Sequence, residues 1–139
     1  MKKKRILLIV FLVGLVAAYF VYDNFLKTAP SMKRLDAEYK VSAESLYAEF
    51  NEDEESANTK YLNKIIEVKG TVEKVETSED NLPIITLKTG GFGVVKCTME
   101  SIMNDEDLSR LKPNTSVVLR AECIGILLDV LLIRSIIIE

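Results

Sequence analysis

Residues 65–75 read Ile-Ile-Glu-Val-Lys-Gly-Thr-Val-Glu-Lys-Val, and this stretch decides the fold. Apolar side chains at positions 66, 68 and 72 alternate with polar ones at 67, 69, 71 and 73, the period of two that is typical of a strand with one buried and one solvated face. Gly70 falls on the apolar side in mid-strand, where a missing side chain indicates a bulge, a bend or a close backbone approach. A long first strand that coils in this way is what a small closed barrel needs.

Four later stretches carry the same alternation and are predicted as strands over 84–88, 94–99, 117–123 and 129–138. In the second strand we expect Ile85 and Leu87 inside and Thr86 and Lys88 outside. Arg134 is the one interior charge of the last strand and is predicted to point outward. The residues that then fall inside are Leu131, Ile133, Ser135 and Ile137.

Two helices are predicted among these strands. Ser42 is a good N-cap for a helix over 42–57, and Leu46, Phe50, Ala57 and Tyr61 fall near one face of it. A shorter helix within 101–111, capped by Asn104 or Asp105, is predicted between the third and fourth strands, with Leu108 and Leu111 turned inward.

This order of elements predicts a mainly β domain, a five-stranded OB-fold Greek-key barrel with a preceding N-terminal helix and a short helix between strands 3 and 4. The alternative is an open antiparallel sandwich. The mid-strand glycine and the helix after the third strand favour the barrel, since closure disposes of the exposed sheet edges.

The N-terminus carries a separate signal. Residues 6–22 are free of charge and follow Lys-Lys-Lys-Arg at 2–5; as a helix they cover roughly 25 Å, enough for a short transmembrane span. The basic cluster predicts a cytoplasmic N-terminus and an exported C-terminal domain, periplasmic or extracellular. The alternative is a cleaved signal peptide, because residues 16–18 read Val-Ala-Ala. The predicted organisation is an anchor over 1–26, a juxtamembrane linker over 27–40 and a folded domain over 41–139.

The amino-acid composition limits the kinds of catalytic and metal site that the chain can form. The chain has no histidine and no Cys-x-x-Cys pair, so a zinc site and a Cys-His nucleophile lack ligands and base. We therefore predict no catalytic residues, no metal and no cofactor. Cys97 and Cys123 are expected to be small buried apolar residues, or else a disulfide if the domain is exported. From Asn24 on, 14 basic and 20 acidic side chains give a net charge of −6, which disfavours phosphate binding.

The sequence resembles the tRNA_anti-like family of OB-fold proteins, over roughly 41–138. The resemblance rests on the order and spacing of several short stretches: Val-Ser-Ala-Glu-Ser-Leu at 41–46, Phe-Asn-Glu at 50–52, Ile-Glu-Val-Lys-Gly-Thr-Val at 66–72, Cys-Ile-Gly at 123–125 and Asp-Val-Leu-Leu at 129–132. It implies a small membrane-anchored envelope protein and lends no catalytic residues. Relatives often carry a cysteine at the position of Ser135, where it could pair with Cys123.

OB barrels usually bind ligands across the outer face of strands 1 to 3. That face is predicted to present Lys69, Thr71, Glu73, Thr86, Lys88, Lys96 and Thr98. Such mixed polar side chains suit a glycan or an extended peptide, and the predicted partners are the membrane, through 6–22, and an envelope protein or oligosaccharide. The alternative is single-stranded nucleic acid, although Phe92 is the only aromatic residue from Ile65 onward, and bases need rings on which to stack.

Overall fold

The computed structural model describes residues 1–26 and 29–139, which form two compact units, Met1–Pro30 and Ser31–Glu139. In the first unit, helix α1 (Lys2–Val21) continues into a π-helical turn, Tyr22–Leu26. Within Lys2–Asn24 an 18-residue window has a mean hydropathy of 2.4 and no buried residue, so by length and composition this helix could be a membrane anchor or a signal sequence. The predicted N-terminal apolar helix is confirmed.

The second unit contains a sheet of six strands, three α-helices and a 3₁₀ turn, Met32–Arg34. In chain order the strands and α-helices are β1 (Tyr39–Ser42), α2 (Ala43–Glu52), α3 (Glu54–Tyr61), β2 (Ile65–Thr77), β3 (Pro83–Leu87), β4 (Val95–Met99), α4 (Asp105–Arg110), β5 (Ser116–Ile126) and β6 (Val130–Ile137).

Five of these strands close into a barrel in the order β2-β3-β4-β6-β5, and β5 pairs back onto β2. Closure depends on the length of β2. Its 13 residues pair through Ile65–Thr71 with β5 and through Val72–Thr77 with β3. The pairs are antiparallel except β4 with β6, which is parallel. The predicted OB-fold barrel, with α4 between its third and fourth strands, is confirmed.

Two features of β2 let it coil. Gly70 is buried, and a β-carbon built on it would lie 3.0 Å from both Ala43 Cβ and Leu87 Cδ1, so the backbone approaches α2 and β3 closely. The register with β3 then shifts between Val72 and Lys74. Such a bulge bends the strand and increases its twist.

The helical segment before the barrel is broken where the sequence predicted one helix over 42–57. Ser42 caps α2 as expected, with its Oγ accepting from Ser45 N at 3.1 Å. At Asp53 the backbone becomes extended, and its carboxylate accepts from Ser56 N at 3.1 Å to cap α3. The apolar residues that were predicted to share one face, Leu46, Phe50, Ala57 and Tyr61, are all buried in the core.

The segment assigned to the linker is partly folded. Residues 31–40 belong to the second compact unit, and Met32 is completely buried. β1 pairs in parallel with β2, from Tyr39 opposite Ile66 to Ser42 opposite Lys69. The pattern gave no sign of this strand, because its four side chains are exposed or only half-buried.

A buried ion pair holds this segment in place. Glu67, which was predicted on the solvated face of β2, is only 8% exposed because β1 covers it. Its Oε1 accepts from Arg120 Nη2 at 2.7 Å, and Lys40 Nζ lies 3.1 Å from its Oε2. Arg120 also donates to the Leu35 carbonyl at 2.8 Å. Arg120 and then Lys40 lower the pKa of the Glu67 carboxyl.

The inward and outward faces of β6 differ from the prediction. Val130 and Leu132 are buried, whereas Leu131 and Ile133 are half-buried. Arg134 has a φ of +55°, and the register with β5 is irregular there, so the alternation changes phase along the strand. Beyond this irregularity Ser135 is buried, as predicted, but Ile136 is buried in place of Ile137.

Both cysteines are buried free thiols. Cys97 pairs with Leu132 on one side of β6, and Cys123 pairs with Leu132 on the other. Two strand spacings, about 10 Å, therefore separate them, well beyond the roughly 5.5–6 Å between α-carbons that a disulfide needs. Burial raises the pKa of both thiols.

Candidate functional site

The outer surface of β2, β3 and β4 carries a patch of polar side chains at the position where OB barrels usually bind. Lys74, Thr86 and Lys96 are cross-strand neighbours in one row, and Glu76 lies two residues along from Lys74. Asp129, just before β6, completes the patch by contact with Lys96. We call these five residues the polar face.

Two ion pairs neutralise the polar face. Lys96 Nζ lies 2.7 Å from Asp129 Oδ2, and Lys74 Nζ lies 3.0 Å from Glu76 Oε1. The contact with Asp129 raises the pKa of Lys96. Burial pushes the pKa of Asp129 upward, but Lys96 and the Val94 N–H outweigh it, and the net pKa is lowered. Lys96 and Asp129 are therefore both charged at neutral pH, and each ion pair of the face joins one basic to one acidic side chain.

Thr86 lies at the centre of the polar face but beneath its surface. It was predicted to be exposed, and it is instead completely buried. Its neighbours across the strands are Lys74 and Lys96. Within residues 1–26 and 29–139 its Oγ1 has no hydrogen-bond partner. A buried hydroxyl without a partner is costly, so this oxygen is a ready acceptor or donor for a group that reaches it.

The remaining predicted site residues lie around the polar face and not in it. Lys69 and Thr71 belong to the half of β2 that pairs with β5, opposite Val118 and Ser116. Glu73 is exposed at the bulge. Lys88 follows the end of β3 and donates to Asn114 Oδ1 at 2.6 Å. Thr98 is half-buried in β4, opposite Ile84. Of the predicted set, the structure places Thr86 and Lys96 in the polar face and Thr98 beside it, in the same cross-strand row as Glu76.

Three residues of the polar face were missed from the sequence. The bulge shifts the alternation of β2. Lys74 and Glu76 therefore lie opposite Thr86 and Ile84, where strict alternation predicted Glu73 on this face. A signal was present, since Glu73 and Lys74 are two consecutive polar residues inside a strand. Asp129 had no signal, because its pairing with Lys96 depends on the parallel contact between β4 and β6.

Apart from the polar face, a concavity of about 520 Å³ lies at the end of the barrel beside α4. Apolar side chains such as Met99, Met103 and Leu111 line it together with Ser135. The Oγ of Ser135 is the second buried side-chain oxygen without a partner in the part of the chain that the structure describes. With only six residues, α4 covers this end of the barrel incompletely.

The side chains of the polar face can form hydrogen bonds and ion pairs with a ligand. Its ammonium, carboxylate and hydroxyl groups can donate and accept hydrogen bonds. In the described ranges no group of three or more Asp, Glu or Cys side chains could hold a metal ion, and the chain contains no histidine. The face carries neither the aromatic rings nor the net positive charge that single-stranded nucleic acid requires.

A family model described as tRNA_anti-like matches residues 1–137. The chain belongs to the tRNA_anti-like family. A comparison with curated proteins finds no match for this tRNA_anti-like chain.

Among solved structures, one similar to this tRNA_anti-like protein is a lipoprotein of Klebsiella pneumoniae named as nucleic acid-binding, with a TM-score of 0.54 and 9% identity. The match covers 71% of this chain and 91% of the lipoprotein, and at this identity it shows the fold alone. Asparaginyl-tRNA synthetase of Entamoeba histolytica also matches, with a TM-score of 0.40 and 14% identity, over 55% of this chain but only 21% of the synthetase.

Proposed function

We propose that this protein is a membrane-anchored, non-catalytic OB-fold module of the cell envelope that binds an extended, uncharged or zwitterionic ligand, a glycan or a peptide, on the polar face. Membership of the tRNA_anti-like family and the closed barrel support a binding domain. The identity of the ligand class is our inference from the side chains of the face.

The observation that carries this proposal is the balance of charge around Thr86. Two lysines and two carboxylates stand in neighbouring rows above a buried hydroxyl without a partner. A glycan offers hydroxyls, and an extended peptide offers N–H and C=O groups, that can bond to both signs of charge. A polyanion would be attracted by the ammonium groups but repelled by the carboxylates. The face would therefore add little to its binding free energy.

Single-stranded nucleic acid is the second candidate. It is favoured by the fold that this chain shares with the lipoprotein named as nucleic acid-binding. Against it stand the acidic charge of the chain, with 14 basic and 20 acidic side chains from Asn24 on, and a neutral face without aromatic rings. We therefore rank it second.

We also propose that α1 remains as a membrane anchor, with its basic start in the cytoplasm and the barrel exported. The support is the apolar stretch Lys2–Asn24, with lysines and an arginine only at its start. An envelope protein or an oligosaccharide near the membrane is then the expected partner.

A binding experiment with matched variants tests the ligand proposal. The full chain in lipid nanodiscs is screened against glycan, peptide and oligonucleotide arrays, and the dissociation constant is measured for each hit. Lys96→Met should weaken binding roughly tenfold, since one charge-assisted hydrogen bond is worth about 1.4 kcal/mol or more.

Lys60→Met is the matched control. Lys60 also forms an ion pair, with Glu49 at 2.8 Å, and its side chain is 43% exposed against 40% for Lys96, but it lies on α3, away from the polar face. Thermal melts of both variants separate loss of binding from loss of folding. Equal weakening by the two variants would contradict the proposed site. Tight oligonucleotide binding that weakens steeply with salt would establish the second candidate instead.

A further inference from the structure

Three large apolar side chains stand fully in solvent on two loops of the barrel. Phe92, in the β3–β4 hairpin, is 109% exposed, and Leu127 and Leu128, in the β5–β6 turn, are 84% and 87% exposed. A β-carbon on Gly93 would lie 2.8 Å from the Leu128 carbonyl oxygen, so the two loops adjoin. We call Phe92, Leu127 and Leu128 the apolar tips.

The loops that carry the apolar tips are held firmly. Thr89 Oγ1 donates to the Gly93 carbonyl and accepts from Gly91 N at 3.2 Å. Gly93 N donates to Tyr47 Oη at 3.1 Å, which fastens the hairpin to α2. The turn is fastened to the hairpin because Val94 N donates to Asp129 Oδ1 at 3.1 Å. The exposure of the tips is thus a built feature of two rigid loops.

We propose that the apolar tips insert into the interfacial layer of the lipid bilayer that holds α1. The tips are side chains of two adjoining loops, and they extend into solvent where a bilayer surface can reach them. Phenylalanine and leucine are the side chains that amphipathic segments bury at the headgroup boundary. Because the chain is acidic, electrostatic attraction to anionic lipids does not explain a contact with the membrane. Burial of apolar side chains stabilises the proposed contact instead. This inference rests on the proposed anchoring by α1.

The start of the folded unit lies at the far end of β4 from the apolar tips. Ser31, the first residue of the folded unit, donates through Oγ to Glu100 Oε2 at 3.0 Å, and Met32 N donates to Glu100 Oε1 at 2.9 Å. Glu100 follows the end of β4, whereas the apolar tips flank its start. Ser31 and the apolar tips therefore lie at opposite ends of β4, a strand roughly 17 Å long.

Tryptophan fluorescence tests this proposal, because the chain contains no tryptophan. Phe92→Trp is made in the full chain and reconstituted into phosphatidylcholine vesicles with and without brominated acyl chains. The probe at position 92 should emit at shorter wavelength than a probe at the exposed position 55 and lose roughly half of its intensity or more in brominated vesicles, as for a ring at the interface. Bromine in both leaflets makes the result independent of the direction of insertion. The effect should persist at high salt and should fall when Leu127→Asp and Leu128→Asp are added.

Glu55→Trp is the control, since Glu55 is exposed in the acidic first turn of α3. It should be quenched little. Equal quenching of the two probes in vesicles that retain the chain would overturn insertion of the tips while leaving the anchor intact. If the chain fails to float with the vesicles after an alkaline wash, the proposed anchoring by α1 is wrong. The proposed insertion of the apolar tips is then wrong as well.

Discussion

At Gly70 the barrel has no room for a side chain. A β-carbon there would lie 3.0 Å from Ala43 Cβ and 3.0 Å from Leu87 Cδ1, tighter than ordinary van der Waals contact. Neither neighbour is the end of a long flexible chain, and both are fully buried. The sequence predicted a bend or a close approach at this glycine, and the structure has a close approach.

Gly70→Val should therefore destabilise the folded unit by about 1–3 kcal/mol, the usual cost of overpacking a core. Lys69→Val, the same new side chain at the exposed neighbouring position, should change the free energy of unfolding by less than about 0.5 kcal/mol. Urea denaturation followed by circular dichroism measures both. Equal stability of the two variants would show that α2 can move away from β2.

Glu67 predicts a pH dependence. Arg120 and Lys40 hold its pKa below the ordinary value of 4.5, so the folded state binds this proton less readily than the unfolded chain. The ion pair thus stabilises the fold above pH 4.5, and that contribution is lost as the pH falls through the lower folded-state pKa. Glu67→Gln should cost about 1–3 kcal/mol at neutral pH and should flatten the acid limb of the stability curve.

Urea midpoints between neutral pH and pH values below the folded-state pKa measure the effect of Glu67→Gln. Glu79→Gln, in the exposed turn after β2, is the control and should leave both the midpoint and its pH dependence unchanged. An unaltered acid limb in Glu67→Gln would assign the acid sensitivity to other carboxylates.

Glu67 and Thr86 were misplaced by sequence reasoning for one shared reason. Glu67 and Thr86 are polar residues on the outward side of their strands, and alternation alone sends outward residues to water. β1 covers Glu67, and the lysines of neighbouring strands flank Thr86. A pattern within one strand cannot report what another part of the chain lays over it.

At the scale of elements, the segment before α2 departs most from expectation. Its polar composition predicted a linker, yet Met32 is completely buried and β1 pairs with β2. Met32→Ala should cost about 2–4 kcal/mol, as for other large-to-small core changes, whereas a true linker would tolerate it. Lys33→Ala, at the exposed next position, is the control. The melting temperatures of both variants are compared with that of the parent chain. A Met32→Ala protein as stable as the parent would place this segment outside the core.

The strands and helices themselves were predictable where alternation was regular. β4, which was predicted as a strand over 94–99, alternates regularly and buries Val95, Cys97 and Met99. β2 and β6 lose their phase where the backbone departs from regular pairing, at the bulge after Val72 and at Arg134 with its φ of +55°. Side-chain period carries no information beyond such a point, which is why Lys74 and Glu76 were missed.

At the scale of the whole molecule, the barrel was predictable because its topology follows from strand count, strand length and the position of one short helix. The polar face, which we propose as the binding surface, was only partly predictable. It combines β2, β3 and β4 with Asp129 of a distant turn, and the sequence does not reveal which lysine meets that carboxylate.

The proposed topology gives a whole-molecule prediction. A periplasmic-type phosphatase fused after Glu139 should be active, a fluorescent protein that folds only in the cytosol should stay dark, and the chain should remain with membranes at its full mass after alkaline extraction. Removal of residues 1–26 should release it. A bright cytosolic fusion would contradict export, and a shortened chain in the soluble fraction would indicate a cleaved signal peptide.

The two ion pairs of the polar face imply an unusual response to electrolyte. The proposed ligand has no net charge and must form hydrogen bonds with the atoms that already pair in Lys74–Glu76 and Lys96–Asp129. We therefore expect each ion pair to oppose binding of this ligand. Dissolved ions screen such exposed pairs and loosen them. Added sodium chloride should therefore leave capture of a neutral sugar or peptide unchanged or tighten it, the opposite of the loss that counterion release imposes on a polyanion.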